Sequence, residues 1–535
     1  MVAAKIKYPV GIQSFETIRK DGYLYIDKTP LIYKMITEGI PYFLSRPRRF
    51  GKSLLISTLA AVFDGRRELF EAFTTEQGIE QPQLFIATTD WKWEKYPVLR
   101  FDFSKDLLGI DELELLIDKT LELYEKQYGI VAEEKNSFLR LDKLVRKAHK
   151  DTGKRVVLLV DEYDKMMLHS IGDDEMAKAV KARFKNLFSP LKDLDEHLQL
   201  VFITGISKFS QMGVFSTINQ LKNISMRDDF ATICGITQKE LTTAMRSDIE
   251  SLAGRTGKTY DGTLAELKRM YDGYHFSEAL EDIYNPFSLI NAFDAGKLDA
   301  YWFESATPSA LIDMLRQMPP IEIADVDGVV CDSGAFDDAF DSFQAPLPAL
   351  YQSGYLTIKD YDQEDNLYTL GFPNHEVRTG FAGSLYRYIT NTTGGDRDRS
   401  ALMRAYKLFR RTDDLPDFIE SIKTFFASVP YHWEQDNRNE HYYHALLYTL
   451  LVAFGADVRA EEPSAKGRSD ITLKMPRGIY VMEIKYNDTA NAALEQIDRK
   501  GYADKYALDG RPITKVGISF SSEERNIADW KISKE

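Results

Sequence analysis

Tyr42-Phe43-Leu44-Ser45-Arg46-Pro47-Arg48-Arg49-Phe50-Gly51-Lys52-Ser53-Leu54 is the stretch that decides the fold. An apolar run enters a basic turn, and a second apolar run, Leu54 to Phe63, leaves it with helical spacing. A strand, a tight loop ending in Gly-Lys-Ser and a helix make the geometry of a phosphate cradle. Loop N–H groups and the positive helix N-terminus face an anion there, Lys52 reaches the β and γ groups, and the Ser53 hydroxyl holds Mg²⁺. The expected contacts of a triphosphate are Arg48, Arg49, Gly51, Lys52, Ser53 and Leu54. The usual pattern opens with Gly five residues before Gly51, where this chain has Arg46. A side chain at that turn is expected to alter the mouth of the cradle.

A Gly-Lys-Ser alone also fits an ordinary capped helix, so the reading needs a partner. Val156-Val157-Leu158-Leu159-Val160 is a continuous apolar run, as in a strand buried on both faces, and it ends in Asp161-Glu162-Tyr163-Asp164. Asp161 at such a strand end binds Mg²⁺ through water, and Glu162 polarises an attacking water. A third strand, Leu200 to Ile203, exits into Thr204-Gly205-Ile206-Ser207. Thr204 and Ser207 are there either to sense a γ-phosphate or to cap the next helix. Asp27, in Tyr25-Ile26-Asp27-Lys28-Thr29, either lines a base pocket or caps a helix.

With 535 residues and 44% hydrophobic content the chain has core for roughly three domains. No apolar run approaches the roughly 20 residues of a membrane span, and MVAAKIKYPV has no secretory pattern. Cys234 and Cys331 are too few for a disulfide framework or a zinc site. A cytoplasmic location is expected, without a membrane. The net charge of −14 argues against a protein that coats nucleic acid everywhere, while leaving room for a local groove; acidic residues gather in places such as 321–341.

Strand and helix signals alternate through the first part: Pro97 to Phe103, Glu112 to Tyr128, Leu139 to His149, Met176 to Leu187, and a strand at Phe230 to Ile236. That βαβ pattern implies a parallel sheet with its ligand at the strand C-termini. From Thr237 the pattern is mostly helical, and Tyr271-Asp272-Gly273-Tyr274-His275-Phe276 reads as a turn pinned by buried rings, with His275 packed. Short strands at Tyr355–Ile358 and Leu367–Leu370 flank a polar turn and suggest a winged-helix unit used for packing. A helical stretch, Val377 to Phe426, leads to the last part.

There Ser469 to Met475 alternates as a strand, Pro476-Arg477-Gly478 turns, and Ile479 to Lys485 alternates back. With an even loop, Asp470 lies across from Glu483 or Lys485, and Glu483 and Lys485 share a face in any register. Two carboxylates and a lysine at one end of a hairpin can hold a divalent metal and orient water against a phosphodiester. Glu440, opening a helix from Tyr442 to Phe454, and Gln496, on a following helix, are further candidates.

The N-terminal half, through Tyr25–Thr29, RPRRFGKS, Asp161–Asp164 and Gly205-Ile206-Ser207-Lys208-Phe209-Ser210, resembles the bacterial AAA-ATPase-like family, related to the STAND and archaeal ATPase groups. Arg46 matches that family's own pattern. Glu440, Asp470, Glu483, Lys485 and Gln496 resemble the PD-(D/E)XK nuclease pattern that the family often carries at its C-terminus. The resemblance implies an α/β chain of three parts: a P-loop AAA-ATPase-like domain over 1–236, a helical and winged-helix middle over 237–385, and linker helices with a restriction-endonuclease-like domain over 386–535. It implies ATP and Mg²⁺ as cofactors, nucleic acid as partner, a homo-oligomer, and a role in defence or mobile-element biology. Glu162 is the expected ATPase catalytic residue; Asp470, Glu483, Lys485, Glu440 and Gln496 are the nuclease set, with Asp470 and Glu483 on the metal. Arg48, Arg49 and Arg227 are candidate arginine fingers. The competing class is a non-enzymatic ATP-dependent switch whose nuclease fold only binds nucleic acid or protein.

Overall fold

The computed structural model describes residues 7–38, 41–107, 109–131, 134–170, 173–207, 221–305, 308–318, 323–337, 346–390, 397–428, 440–464 and 467–534. Lys208, Phe209 and Ser210, and parts of the acidic 321–341 stretch and of the 377–426 helical stretch, lie outside the described residues. The chain forms two compact units, one of 1–306 with 329–374, the other of 307–328 with 375–535.

The first unit is built on a five-stranded sheet ordered Val98–Asp102, Val156–Asp161, Leu198–Gly205, Tyr42–Ser45, Lys222–Asn223, with every neighbouring pair parallel. Val156–Asp161 is buried along its whole length, as its unbroken apolar run requires. The register sets Ser45 beside Gly205 and Asp102 beside Asp161, so the acidic strand end and the cradle strand finish at one edge of the sheet. Helices Ile110–Gln127, Ser137–Thr152 and Asp174–Phe188 bury Leu113, Leu144 and Phe184 in a single core with Phe101, Leu158 and Val160. The middle helix is delimited by its caps: the Asn136 side chain accepts the Phe138 N–H at 2.9 Å, and Gly153 ends it with φ of 65°.

The strand expected at Phe230–Ile236 is not part of this sheet. Lys222–Asn223 supplies the fifth strand, Asp228–Phe230 is a 3₁₀ turn, and only Ile236–Thr237 is extended, pairing antiparallel with Ile283–Tyr284. Local apolarity gave the expectation; the turn wins because the carbonyls of Phe230 and Ala231 accept the Arg46 guanidinium, each at 3.3 Å, and are withdrawn from any ladder. The expected hairpin forms as Thr357–Asp362 with Leu367–Gly371, joined by Val329–Cys331 into a three-stranded antiparallel sheet over Phe336. His275 is a packed histidine: Nδ1 bonds the Ile358 carbonyl at 2.6 Å and Nε2 meets Asp282 at 2.8 Å.

The second unit carries helices His375–Thr390, Arg397–Thr412, Leu415–Ser428 and Glu440–Ala453 and a mixed sheet. Its strands run Asp457–Ser464, Gly467–Met475, Gly478–Tyr486, Ile513–Ser521, Asn526–Lys534, in chain order. Only the Gly478–Tyr486 and Ile513–Ser521 pair is parallel, and helix Ala490–Lys500 makes the crossover that a parallel pair needs.

Asp272, at the end of helix Tyr260–Tyr271, is 1% exposed, and burial pushes its carboxyl up to about 7. The native state therefore holds that proton more tightly than the unfolded chain, and the contribution to stability is lost as pH rises through the folded value. Asp272→Asn should gain stability over the parent between about pH 5 and pH 8, by a few kcal/mol at most at about 1.4 kcal/mol per pKa unit. Denaturant unfolding of both proteins at the two pH values checks it; a difference independent of pH refutes the buried-proton account.

Candidate functional site

The cradle loop closes through left-handed backbone at Arg49, with φ of 67°, and at Gly51, with φ of 93°, the residue that caps helix Lys52–Phe63. A Cβ at Gly51 would meet nothing within 4 Å, so glycine is needed there for its φ and not for space. Lys52 is 5% exposed and its Nζ donates to the carbonyls of Arg46 at 2.9 Å and Pro47 at 3.0 Å. Burial pulls its pKa down, against the pull of Glu162, Asp161 and Asp164. The Ser53 hydroxyl hydrogen-bonds Asp161, which is 5% exposed and pushed by burial up to about 6. Asp161 Oδ1 is buried with no hydrogen-bond partner. An unpartnered carboxylate oxygen beside a hydroxyl and an ammonium fits a divalent cation carried with a triphosphate.

Glu162 holds φ of 49°, unusual for a side-chain-bearing residue and costly by about 1 kcal/mol or more. The next two residues turn inward: the Tyr163 hydroxyl donates to the Ser207 carbonyl at 2.9 Å, and Asp164 Oδ2 accepts the N–H groups of Ile206 and Ser207 at 2.8 and 2.6 Å and the Ser207 hydroxyl at 2.7 Å. A Cβ at Gly205 would stand 2.5 Å from Asp164 Oδ1 and 2.8 Å from the Tyr163 ring, so a larger residue there would displace the Asp164 carboxylate. Asp164 thus ties two strand ends together, a role not extracted from the acidic cluster, whose division of labour depends on which carboxylate turns inward. Ser225 was missed as well: its hydroxyl accepts the Ser45 N–H at 2.8 Å, across a gap of 180 residues that no local pattern announces.

Other expected contacts have defined partners. The Thr204 hydroxyl donates to the Leu44 carbonyl at 2.8 Å. Asp27 accepts the Thr29 N–H and hydroxyl at 2.8 and 2.6 Å and the Phe85 N–H at 2.7 Å. The Arg49 guanidinium lies 4.9 Å over the Phe287 ring, and Arg227 pairs with Asp229 at 2.9 Å. Leu54 lies in the first turn of the helix, just after Ser53, and the Arg48 carbonyl accepts from Trp302 Nε1 at 3.0 Å.

In the second unit the Pro476-Arg477 loop is even, so Ile471 pairs with Met482 and one further step sets Asp470 opposite Glu483. Asp470 Oδ2 accepts the Ile484 N–H at 2.7 Å, while His444 Nε2 meets the Asp470 carbonyl at 2.8 Å. Glu483 is 1% exposed; burial first and Asp470 second push its carboxyl up to about 8. Lys485 Nζ lies 3.5 Å from Glu483 Oε1 and 3.5 Å from Glu440 Oε1. Burial lowers the Lys485 pKa, but Glu483, Glu440 and Asp470 outweigh it and the net shift is upward. Gln496 Nε2 donates to Glu483 Oε1, and the Tyr486 N–H donates to Glu440 Oε2 at 3.2 Å. All five expected residues therefore join one network. His444 was not anticipated, since it lies on helix Glu440–Ala453 and reaches a main-chain oxygen.

Among the described residues no three His, Cys, Asp or Glu side chains cluster as a ready metal site. The residues nonetheless fit a divalent ion: Glu483 Oε2 is buried with no hydrogen-bond partner, beside the half-buried Asp470 carboxylate. Two neighbouring carboxylates, one of them buried, resist joint ionisation unless a cation sits with them.

A parallel sheet with a phosphate-type loop facing an acidic strand end, and a mixed sheet with two carboxylates and a lysine, define a chain of two enzyme-type modules. Residues 9–215 match the family model described as a predicted AAA-ATPase, and residues 438–530 match that of the PD-(D/E)XK nuclease superfamily. A protein of Azotobacter chroococcum mcd 1, described as an uncharacterized protein in the vnfD 5' region, is 34% identical over 542 residues, covering 98% of each chain. The chain belongs to this family of AAA-ATPase-like proteins with a C-terminal PD-(D/E)XK nuclease superfamily domain. No solved structure matches it.

Two substitutions separate binding from turnover. Lys52→Ala removes a charge-assisted contact of about 1.5–3 kcal/mol and should weaken ATP binding about tenfold or more by calorimetry. Glu162→Gln should keep ATP affinity and lose hydrolysis; a parental turnover rate would assign the water to another residue.

Proposed function

We propose that the chain is a nucleotide-controlled nuclease, in which ATP binding and hydrolysis by the first module govern metal-dependent phosphodiester cleavage by the second. The boundaries drawn at 236 and 385 from the sequence belong to this proposal. In the ATPase module Ser53 and Asp161 would hold Mg²⁺, which supplies charge neutralisation at the phosphates. Lys52 exchanges its two loop carbonyls for phosphate oxygens, and Glu162 orients the attacking water.

In the nuclease module Asp470 and Glu483 would hold the divalent ion, whose chemistry is to activate water and neutralise developing charge. Lys485 steadies the hydroxide or the phosphorane from 3.5 Å beside Glu483. Glu440 anchors that lysine, and Gln496 fixes the orientation of the Glu483 carboxylate. The observation that carries this reading is the buried, unpartnered Glu483 Oε2 beside Asp470, an arrangement costly to maintain for stability alone. Nucleic acid is the substrate class, and defence against foreign nucleic acid fits a nuclease kept under nucleotide control.

A second reading is favoured by one observation, the lack of a three-member metal cluster among the described residues. In it the nuclease fold only binds nucleic acid or protein, and ATP acts as a conformational switch. Purified Asp470→Ala, Glu483→Ala and the double variant distinguish the two. If both carboxylates hold one ion, all three lose Mg²⁺-dependent cleavage to similar extents instead of multiplicatively. ATP hydrolysis should persist in each. Cleavage by folded Asp470→Ala at the parental rate makes the switch the better reading.

Control by nucleotide has its own test. Cleavage by the parent should differ between ATP, ADP and nucleotide-free conditions, and equal rates in all three would remove gating while leaving the nuclease assignment intact.

A further inference from the structure

Five consecutive residues of the cradle loop are each held by a residue more than 200 positions further along the same unit. The Arg46 guanidinium lies 4.2 Å over the Phe276 ring. Pro47 fills the space left by Gly354, where a Cβ would come within 2.6 Å of the Pro47 Cβ and φ is 88°. The Arg48 carbonyl accepts the Trp302 indole N–H at 3.0 Å, and Arg49 stacks on Phe287. Phe50 meets Tyr274 and Phe276 edge-on, at 4.8 and 5.3 Å.

Arg46 is the informative member, because it stands where the common loop pattern has glycine. Its backbone makes no demand for glycine: the left-handed positions of the loop are Arg49 and Gly51, and Arg46 is not among the positive-φ residues. The side chain is 2% exposed. It donates to the carbonyls of Ser45 at 2.9 Å, Ser225 at 2.7 Å, and Phe230 and Ala231 at 3.3 Å each. Burying a guanidinium costs several kcal/mol, which carbonyl bonds and a ring face only partly return. A residue needed merely to fill this space would not carry that charge.

The main chain of Arg46 and Pro47 is also what receives Lys52: their two carbonyls hold its Nζ. The guanidinium, through its bonds to the carbonyls of Ser45 and Ser225, therefore helps fix the stretch of backbone that sets where Lys52 starts. We propose that Arg46 is a positioning residue of the phosphate site, and that through Phe276 it makes the Asp272–Phe276 turn part of the nucleotide-binding machinery. The proposal rests on the reading of the cradle as a triphosphate site. A loop held by several carbonyl bonds stays within the tolerance that phosphate contacts require, where a shift of about 1 Å is expensive. Removal of Lys52 from the two carbonyls by a phosphate alters the restraint on that backbone, and the change reaches Phe276 and the 225–231 turn.

Arg46→Gly restores the residue of the common pattern and supplies the sharpest test on the full-length chain. If the pattern alone mattered, it would bind Mg²⁺·ATP as well as the parent or better. The positioning role predicts a loss of about tenfold or more in calorimetric affinity, with partial rescue by Arg46→Lys, whose single ammonium cannot span four carbonyls. Phe276→Leu keeps the arginine and most of the packing, and should weaken ATP by a few fold. A purely structural role would lower the melting temperature and leave ATP affinity, measured well below melting, unmoved. Amide hydrogen exchange over 225–231 and 271–276 should respond to ATP in the parent and not in Lys52→Ala. Parental ATP affinity in folded Arg46→Gly overturns the proposal. If Arg46→Gly does not fold, parental affinity in Phe276→Leu together with nucleotide-independent exchange over 271–276 overturns it. Lys52→Ala tells the two failures apart: if it too binds ATP like the parent, the cradle reading fails, and if it alone loses ATP, only the role of Arg46 falls.

Discussion

Ionisable groups held away from water with incomplete partnership are the constraint that organises both modules. Lys52, Asp161 and Glu483 are each 5% exposed or less, and Asp161 and Glu483 each keep one buried oxygen with no hydrogen bond. Burying a charge costs several kcal/mol unless it is paired, and each unmet oxygen adds about 1–3 kcal/mol. The surrounding fold has to offset that cost. It does so with continuous apolar strands in the first unit, where Val156 to Val160 are all at 0% exposure, and with a core of Ile479, Val481 and Ile497 beside Glu483 in the second. Carboxyl groups raised to about 6 and about 8 are the electrostatic signature of the same arrangement.

Left-handed backbone stands next to two of these buried groups. Glu162 in the left-handed region follows directly on the buried Asp161, and Gly51 in the left-handed region directly precedes Lys52. At Gly51 the missing Cβ makes that backbone cheap, whereas at Glu162 it is a strain that the surrounding structure has to hold. Tyr163 and Asp164 show where the strain is recovered: three hydrogen bonds to Asp164 Oδ2 and one from the Tyr163 hydroxyl fasten the turn to Ile206 and Ser207. The cradle loop is held the same way, by long-range contacts to Phe276, Trp302 and Phe287 that local sequence cannot supply.

Much of the architecture is readable in one dimension because it follows local periodicity. Helices expected at Glu112–Tyr128 and Leu139–His149 appear as Ile110–Gln127 and Ser137–Thr152, and the hairpin with Asp470 and Glu483 on one face follows from alternation and a two-residue loop. The strand expected at Phe230–Ile236 failed for a reason outside that segment: Arg46, 184 residues earlier, takes the Phe230 carbonyl. Apolar content alone cannot say whether a carbonyl will face a ladder or a buried guanidinium.

The sequence by itself determined where the candidate residues stand: Lys52 and Ser53 after Gly51, Asp161 at the end of an apolar strand, and Asp470, Glu483 and Lys485 on a hairpin. Those assignments depend on separations of a few residues, where strand and helix periods fix which side chains share a face. Only the tertiary structure decided what each of them touches. That Asp164 binds Ser207, that Ser225 meets Ser45, that Lys485 reaches Glu440, and that Arg46 meets Ser225 are outcomes of contacts spanning 43, 180, 45 and 179 residues. Such contacts are set by how sheets and helices pack to exclude water from charge, and no period along the chain records them.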